Sequence, residues 1–584
     1  MALGLLVLLV MTAPMTFWEY DELLFAGAVA RFEPLVHHPH PPGYPVFVGL
    51  ATLVDRGVHD PFLALVTVSI ASAIVGFLAL AGAFRELLGD GRAAIAGALL
   101  FYLSAGMLVH ASLPLSDSAA MAFLALTVWR SSRRGTLSAS DGVMIGVWAS
   151  LTIGCRPQLA VMVVPLLALV LLRSSAARPS LALLASFTLV SLAWLLPLVV
   201  ATGGVSGFLR YQLAQASDFA ANDADLARSG WRWSTIALRL VAHPWGTKGL
   251  SLPVLASAGV GGLALLGRRD FAAVPLLVSA ALYLTFAAIA MDPIDSVRYA
   301  LPVTMAVAYL AAYGLRALLV PSFGMRGAWA GLACVAIFGV ASWRYAAPVI
   351  VQRHRAVSPP WEASAYARAH FPPDTIILYE RALQPHARQL FDTFEVRPLA
   401  EDFGAFADRP EVRLAILADG ASDEPDAVTF AWADSDAYGK LTRNHYRVVS
   451  LIPVQPASRF RAVRGVYRPE RTVAGQHWRW LAPSAELAIP PMGARSVELR
   501  LGVPDDYPWD SVDATVRAGD APPVNVIVRR GTPAVVTLDL KDPASTTNIT
   551  IGSHRTFVPA EVPALLQHDR RALGVMLRGV TQRP

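Results

Sequence analysis

Cysteine is almost missing from this chain. Only Cys155 and Cys334 occur in 584 residues. They fall in different apolar stretches, which excludes a disulfide framework and a cysteine metal site and leaves both as small core residues. Charge is sparse too. Asp, Glu, Lys and Arg make up 16% of the residues and the mean hydropathy is +0.46, far from an ordinary soluble enzyme. No Gly-x-Gly-x-x-Gly turn occurs in a strand–helix setting, so no dinucleotide site is read. The first apolar run, residues 2–15, lacks a basic flank and a clear cleavage site, which argues against a signal peptide. As a helix it is about 21 Å long, short of a hydrocarbon core of roughly 30 Å, yet it is expected as the first membrane helix.

What is present is unevenly distributed. Apolar residues dominate before about residue 346, and charged residues concentrate after it. A chain of this length exceeds a single core. The expected architecture is a multi-pass α-helical membrane domain at 1–346, a soluble α/β domain at 347–472 and a C-terminal β-sandwich at 473–584. Apolar stretches run at about 2–16, 61–84, 93–110, 116–130, 141–154, 157–172, 181–201, 248–266, 271–291, 299–320 and 327–345, or about eleven helices. Arg156-Pro157 either reverses the chain between two helices or kinks a single one.

The net charge of +6 fits membrane topology better than nucleic-acid binding. Alternate loops hold Arg85 with Arg92, then Arg130, Arg133 and Arg134, then Arg173 with Arg178, Arg268 with Arg269, and Arg316 with Arg326. These loops are expected on the cytoplasmic side. The N-terminus is then cytoplasmic, and an odd number of crossings leaves the C-terminal domains periplasmic or extracellular, in a bacterial inner membrane. The opposite loops include a long one at 202–247 with Trp231, Trp233 and Trp245, and a short one from Asp292 to Arg298. Aromatic residues of this kind favour the headgroup zone.

In the tail, helices at 361–370, 385–392, 401–408 and 438–444 alternate with extended segments at 375–379, 395–399, 412–417 and 446–454. After about residue 475 the pattern becomes short strands at 484–489, 496–501, 513–517, 525–529, 534–540 and 547–551.

The polar stretch from Phe17 to Pro45 lies at the mouth of the bundle. Glu19, Asp21 and Glu22 crowd its start, and His37, His38 and His40 its end, before Pro41-Pro42-Gly43-Tyr44-Pro45. A carboxylate there can take a proton from a hydroxyl attacking an electrophilic carbon, and Asp21 is the chosen base. Glu22 is its neighbour. The plain alternative is interfacial solvation. Three histidines invite a metal reading. The prolines hold the backbone extended and send the side chains apart, so no metal ligand is assigned and His40 alone is left to contact substrate or Asp21. Among cations at the outer side, Arg156 and Arg298 stand at helix ends beside Pro or Tyr and suit phosphate oxygens. Arg210 and Lys248 read equally as headgroup contacts. Asp117 starts a helix, facing either a cavity or the helix dipole.

Together these pieces resemble the GT-C class of integral membrane glycosyltransferases, in the bacterial branch similar to protein O-mannosyltransferases. The matching segments are Tyr20-Asp21-Glu22, His40-Pro-Pro-Gly-Tyr-Pro45, Leu115-Ser-Asp-Ser118, Gly154-Cys-Arg-Pro-Gln158 and Arg298-Tyr-Ala-Leu-Pro302. The resemblance implies a hexosyltransferase acting at the outer membrane face. A polyprenyl-phosphate sugar would be the donor, with a lipid, glycan or protein acceptor and a single inverting displacement. Asp21 and Glu22 would supply catalytic carboxylates. His40, Tyr44, Asp117, Arg156, Arg298 and Tyr299 would contact substrate, with no cofactor, while a metal at the histidine cluster is left open. Asp569 to Val575 resembles the end of a bacterial tail sandwich. The alternative function is a transporter or flippase of lipid-linked glycans, which would need ionisable residues along several helices.

Overall fold

The computed structural model describes the chain except residues 134, 175–176, 223–232, 269–270, 292–296, 401, 425, 443–445, 472–475, 506 and 563–568. Arg134, Arg269, Trp231, the Trp233 side chain and most of the 292–298 loop therefore lie outside the described residues. Two compact units are present. The first is Met1–Val357 with Ala433–Asn444, and the second is Ser358–Trp432 with His445–Pro584.

The first unit is helical. Its helices are α1 (Ala2–Met11), α2 (Tyr20–Ala30), α3 (Pro45–Val58), α4 (Pro61–Leu88), α5 (Gly91–Tyr102), α6 (Ala105–His110), α7 (Asp117–Ser131), α8 (Ala139–Cys155), α9 (Ala160–Arg173), α10 (Ala177–Ala201), α11 (Val205–Asn222), α12 (Trp233–Val241), α13 (Lys248–Arg268), α14 (Val274–Ala290) and α15 (Val297–Arg355). By length and composition α4, α10, α13 and α15 can each cross a membrane, and this makes the unit multi-pass. The remaining expected spans appear as shorter helices, and the about-eleven crossings are not separately resolved by length.

Local chemistry explains the boundaries. The Asp60 side chain accepts from the Phe62 and Leu63 N–H groups and starts α4, with Pro61 in the first turn. Gly89, at φ 63°, ends it. The first helix stops at Met11 rather than near residue 16, because Pro14 cannot continue it and the Met15 N–H turns to the Arg353 carbonyl at 3.0 Å. Arg156 is extended, at φ −152° and ψ 90°, as the residue before Pro157 is driven to be. So α8 and α9 are separate helices. Gly324 breaks α15, and its second half runs to Arg355, beyond the boundary expected at 346. Ala346, Val349, Ile350 and Arg353 form one buried face that carries it on.

Small residues let the helices approach closely. Gly261 on α13 faces the Leu310 carbonyl of α15, and Gly314 on α15 faces the Ser257 carbonyl, with no room for a Cβ at either. Between α8 and α10, Ser150 Oγ lies 2.9 Å from Ser191 Oγ and accepts from Trp194 Nε1 at 3.0 Å.

The second unit begins with α16 (Pro359–His370) and α17 (Gln384–Leu390). A five-stranded sheet holds β1 (Ile376–Tyr379), β2 (Glu395–Pro398), β3 (Leu414–Asp419), β4 (Val428–Ala431) and β5 (Val448–Val454), in the order β2-β1-β3-β5-β4. Only the β1 pairings with β2 and β3 are parallel. Where the sequence predicts a helix at 401–408, the described residues make a single 3-10 turn, Gly404–Phe406, with the Gly404 N–H tied to Asp402. The segment expected as a helix at 438–444 forms Asp436–Leu441 and belongs to the first unit.

The later strands are β6 (Arg461–Arg471), β7 (His477–Ile489), β8 (Ser496–Gly502), β9 (Ser511–Ala518), β10 (Val524–Arg529), β11 (Ala534–Asp539), β12 (Thr547–Ser553) and β13 (Met576–Arg583). Their hydrogen bonds run unbroken through β10-β9-β12-β7-β13-β8-β11, with β6 beside β7. The two ends of that path, β10 and β11, are consecutive in the chain, and the Arg529–Thr532 bridge closes the short turn between them, so the sheet curls nearly closed where the sequence predicts a β-sandwich. One apolar cluster extends from Ile376 and Leu378 through Leu481 and Leu499 to Val580. The segments on either side of residue 472 thus share a core.

Candidate active site

The polar stretch folds into two short helices and a turn. Glu19 caps α2, and Glu22 Oε2 reaches back to accept the Trp18 N–H at 2.6 Å and the Glu19 N–H at 3.1 Å. This places three carboxylates on the first turn, all buried: Glu19 at 3% exposure, Asp21 at 7% and Glu22 at 1%. Burial, followed by the neighbouring Glu19, pushes Glu22 up to about 8, against the opposing pull of Arg353 and the two backbone N–H groups.

Burying several carboxylates requires cations, and α15 supplies them. Arg298 at its start places Nη2 2.5 Å from Asp21 Oδ2 and Nη1 3.7 Å from Glu19 Oε2. Arg353 near its end lies 3.7 Å from Glu19 Oε1 and stacks on Trp18 at 4.0 Å. A second pair sits nearby: Asp117, on the first turn of α7, meets Arg156 at the α8–α9 break. Both guanidiniums overlie the Tyr299 ring, Arg156 at 5.2 Å and Arg298 at 5.6 Å. Burial and then the charge of Arg298 hold Arg156 below its ordinary value. Each of these guanidiniums already has a carboxylate partner, Asp117 for Arg156 and Asp21 for Arg298, and the Tyr299 ring lies beside both.

The Pro-rich turn supplies the remaining wall. Gly43 has φ 105°, and a Cβ there would lie 2.7 Å from Leu198. Tyr44 follows in the left-handed region and packs edge-on against Phe25 at 5.1 Å. Its hydroxyl lies 3.2 Å from His40 Nε2, which is itself 3.8 Å from Asp21 Oδ1. Burial raises the Tyr44 phenol above its usual range. Over the turn lies α11, whose Tyr211 hydroxyl and Gln212 amide donate to the Pro39 and Pro42 carbonyls. The His38 ring instead packs against the position of Gly27. Among the described residues no group of three or more His, Cys, Asp or Glu side chains is arranged for a metal ion.

All eight residues singled out in the sequence thus lie in one buried region, connected through Arg298, Tyr299 and Tyr44. Residues 39–201 match the family model described as dolichyl-phosphate-mannose-protein mannosyltransferase. The solved structure of ArnT from Cupriavidus metallidurans bound to undecaprenyl phosphate is similar over 77% of this chain and 96% of that one, with 13% identity and a TM-score of 0.52. The chain has the GT-C fold and resembles the protein O-mannosyltransferases. The arabinofuranosyltransferase AftD from Mycobacteria aligns over 100% of this chain and 58% of that one, at 13% identity and a TM-score of 0.44. No curated protein matches the chain in sequence.

Sequence reasoning missed two members of this buried cluster. Tyr283, buried on α14, lies close to Arg156 and Tyr299. A lone tyrosine in an apolar run carries no signal of its own. Arg353 sits in Gln352-Arg-His-Arg355, which reads as an ordinary basic helix end. Its spacing from Val349 and Ile350 was the available clue, since it puts Arg353 on the buried face.

Proposed function

We propose that the protein is a glycosyltransferase. It moves a sugar from a polyprenyl-phosphate donor to an acceptor hydroxyl at the outer membrane face, inverting the anomeric carbon. The observation that carries this reading is the buried Asp21, held by Arg298 and approached by His40, beside two guanidiniums that share the Tyr299 face. A surface acid would be solvated; this one is buried beside a counter-ion, with a second guanidinium across the Tyr299 ring.

In the proposed step the acceptor O–H gives its proton to Asp21 as its oxygen forms a bond to the anomeric carbon. The bond from that carbon to the phosphate oxygen breaks, and its electron pair leaves with the lipid phosphate. Arg156 and Arg298 stabilise the charge developing on that phosphate. His40 and Tyr44 orient groups around Asp21. Asp117 holds Arg156 in place. Glu22 spends both its contacts on the α2 cap and serves by shaping the loop that carries Asp21.

The bound lipid in the similar ArnT structure supports a polyprenyl-linked donor here. The flippase alternative is disfavoured, because the buried acids and arginines of the first unit, Asp141 apart, gather around this one region among the described residues. The deciding experiment offers the purified protein a panel of polyprenyl-phosphate sugars together with lipid, glycan and protein acceptors in detergent, and follows release of the lipid phosphate and formation of the glycosylated acceptor. Turnover of none of them, with the protein folded, would overturn the reading.

A further inference from the structure

Arg353 is the least satisfied cation near this site. It is 3% exposed, yet none of its three guanidinium nitrogens makes a hydrogen bond within the protein. Its contacts are the Trp18 face at 4.0 Å and Glu19 at 3.7 Å. Nor is it slack. The Met15 N–H binds its carbonyl at 3.0 Å, and the next residue, His354, bonds through Nδ1 to the Ala13 carbonyl at 2.9 Å. The chain just before α2 thus clamps the end of α15 from both sides.

Glu19 stands between two arginines, with one carboxylate oxygen toward each, both at 3.7 Å. That is too far for a hydrogen bond. Arg298, by contrast, divides its fork between Glu19 and Asp21, and only the Asp21 contact is short. Two acids compete for one guanidinium, and Arg353 draws one of them away.

We propose that Arg353 is a positioning residue for the base: by holding Glu19 back, it leaves the Arg298 fork committed to Asp21. This rests on the proposed role of Asp21. Without Arg353, Glu19 closes on Arg298 and Asp21 loses part of its counter-ion. Asp21 then holds its proton to higher pH, and the base is unavailable over more of the acid range. Asp21 faces Arg298, His40 and Tyr44 and shares Arg298 with Glu19, while Arg353 faces Glu19, Glu22 and His110.

The test is the pH profile of kcat/KM for lipid-phosphate release, using whichever polyprenyl-phosphate sugar is turned over. In Arg353→Gln the acid limb is expected to move up by about one pH unit, and Arg353→Lys should return it most of the way. Glu19→Gln removes the competitor and should move the limb the other way, to lower pH. If Arg353→Gln does not fold, as judged by gel filtration and thermal unfolding, Glu19→Gln carries the test. A limb that stays put while the rate merely scales down, or that moves the same way in both variants, overturns the proposal. Asp21→Asn separates the two layers. If it turns over at the parental rate, the base assignment itself fails; if it is inactive and the limbs do not move, only the role of Arg353 fails.

Discussion

Arg298 donates to Asp21 across a separation of 277 residues, joining the start of the long C-terminal membrane helix to the first turn of the opening loop. Both side chains are buried, so the pair stands in for water that neither can reach. Removing one partner leaves a buried charge unbalanced, at a cost of about 3–5 kcal/mol. Arg298→Ala is therefore expected to unfold at markedly lower temperature in detergent. Arg298→Lys keeps the charge and loses the fork, so it should fold and show a kcat/KM about 10-fold lower or worse.

Asp21→Asn keeps the shape of the side chain and removes its basicity. Transfer should fall by roughly 100-fold or more, the range expected for loss of a general base. Arg298 then keeps only the more distant Glu19, so the melting temperature should fall as well, and the two rates are compared at a temperature where both proteins are folded. Lipid-phosphate release and a melting curve on the same preparation check both.

Glu22 has a different signature. Its carboxyl is raised from 4.5 to about 8 in the folded chain. Between those values the folded protein holds a proton that the unfolded chain releases. Stability therefore falls as pH rises from about 5 to 8, and the full penalty is present above about 8, on the order of a few kcal/mol. Glu22→Gln keeps an oxygen for the Trp18 and Glu19 N–H groups and cannot ionise. Its melting temperature should be flatter across this window and higher than the parent's at pH 8. A parental slope in the variant would show that Glu22 is not the group responsible.

Gly43→Ala tests the turn. The positive φ strains any other residue, and the new Cβ would press on Leu198 at 2.7 Å. The turn must shift, and Tyr44 and His40 move with it. Expected is a loss in kcat/KM of about 10-fold or more, with membrane insertion retained, as read by lipid-phosphate release after equal loading.

The helix crossing at Gly261 and Gly314 predicts a stability effect without a chemical one. Each glycine faces a backbone carbonyl of the other helix, which cannot yield as a side chain could. Gly314→Leu should cost roughly 1–3 kcal/mol or more by forcing α13 and α15 apart. Gly262→Leu, on α13 beside Gly261 with open space at its Cβ, serves as the control.

Hydropathy and turn chemistry are local properties, and the features that depend on them were legible in the amino-acid order. The change from apolar helices to a charged tail is one example, although α15 runs to Arg355 rather than ending at 346. The acid-rich start of α2 and the Pro-Pro-Gly-Tyr-Pro turn are others, because capping and positive φ are set by a few adjacent residues. Even the end of α15 was half visible, in the spacing of Val349, Ile350 and Arg353. The strand β13 was not, since Met576 to Arg583 holds Gly579 and Arg578 and pairs with β8 and β7 only through distant contacts. Nor could the order of residues say which arginine meets which acid. Glu19, Asp21 and Asp117 each needed a cation once buried; Arg156 and Arg298 were candidates, and Arg353 read as an ordinary helix end. Only the approach of helices far apart in the chain chose among them, because an ion pair is decided by a few ångströms of separation in space, and sequence periodicity carries no such distance.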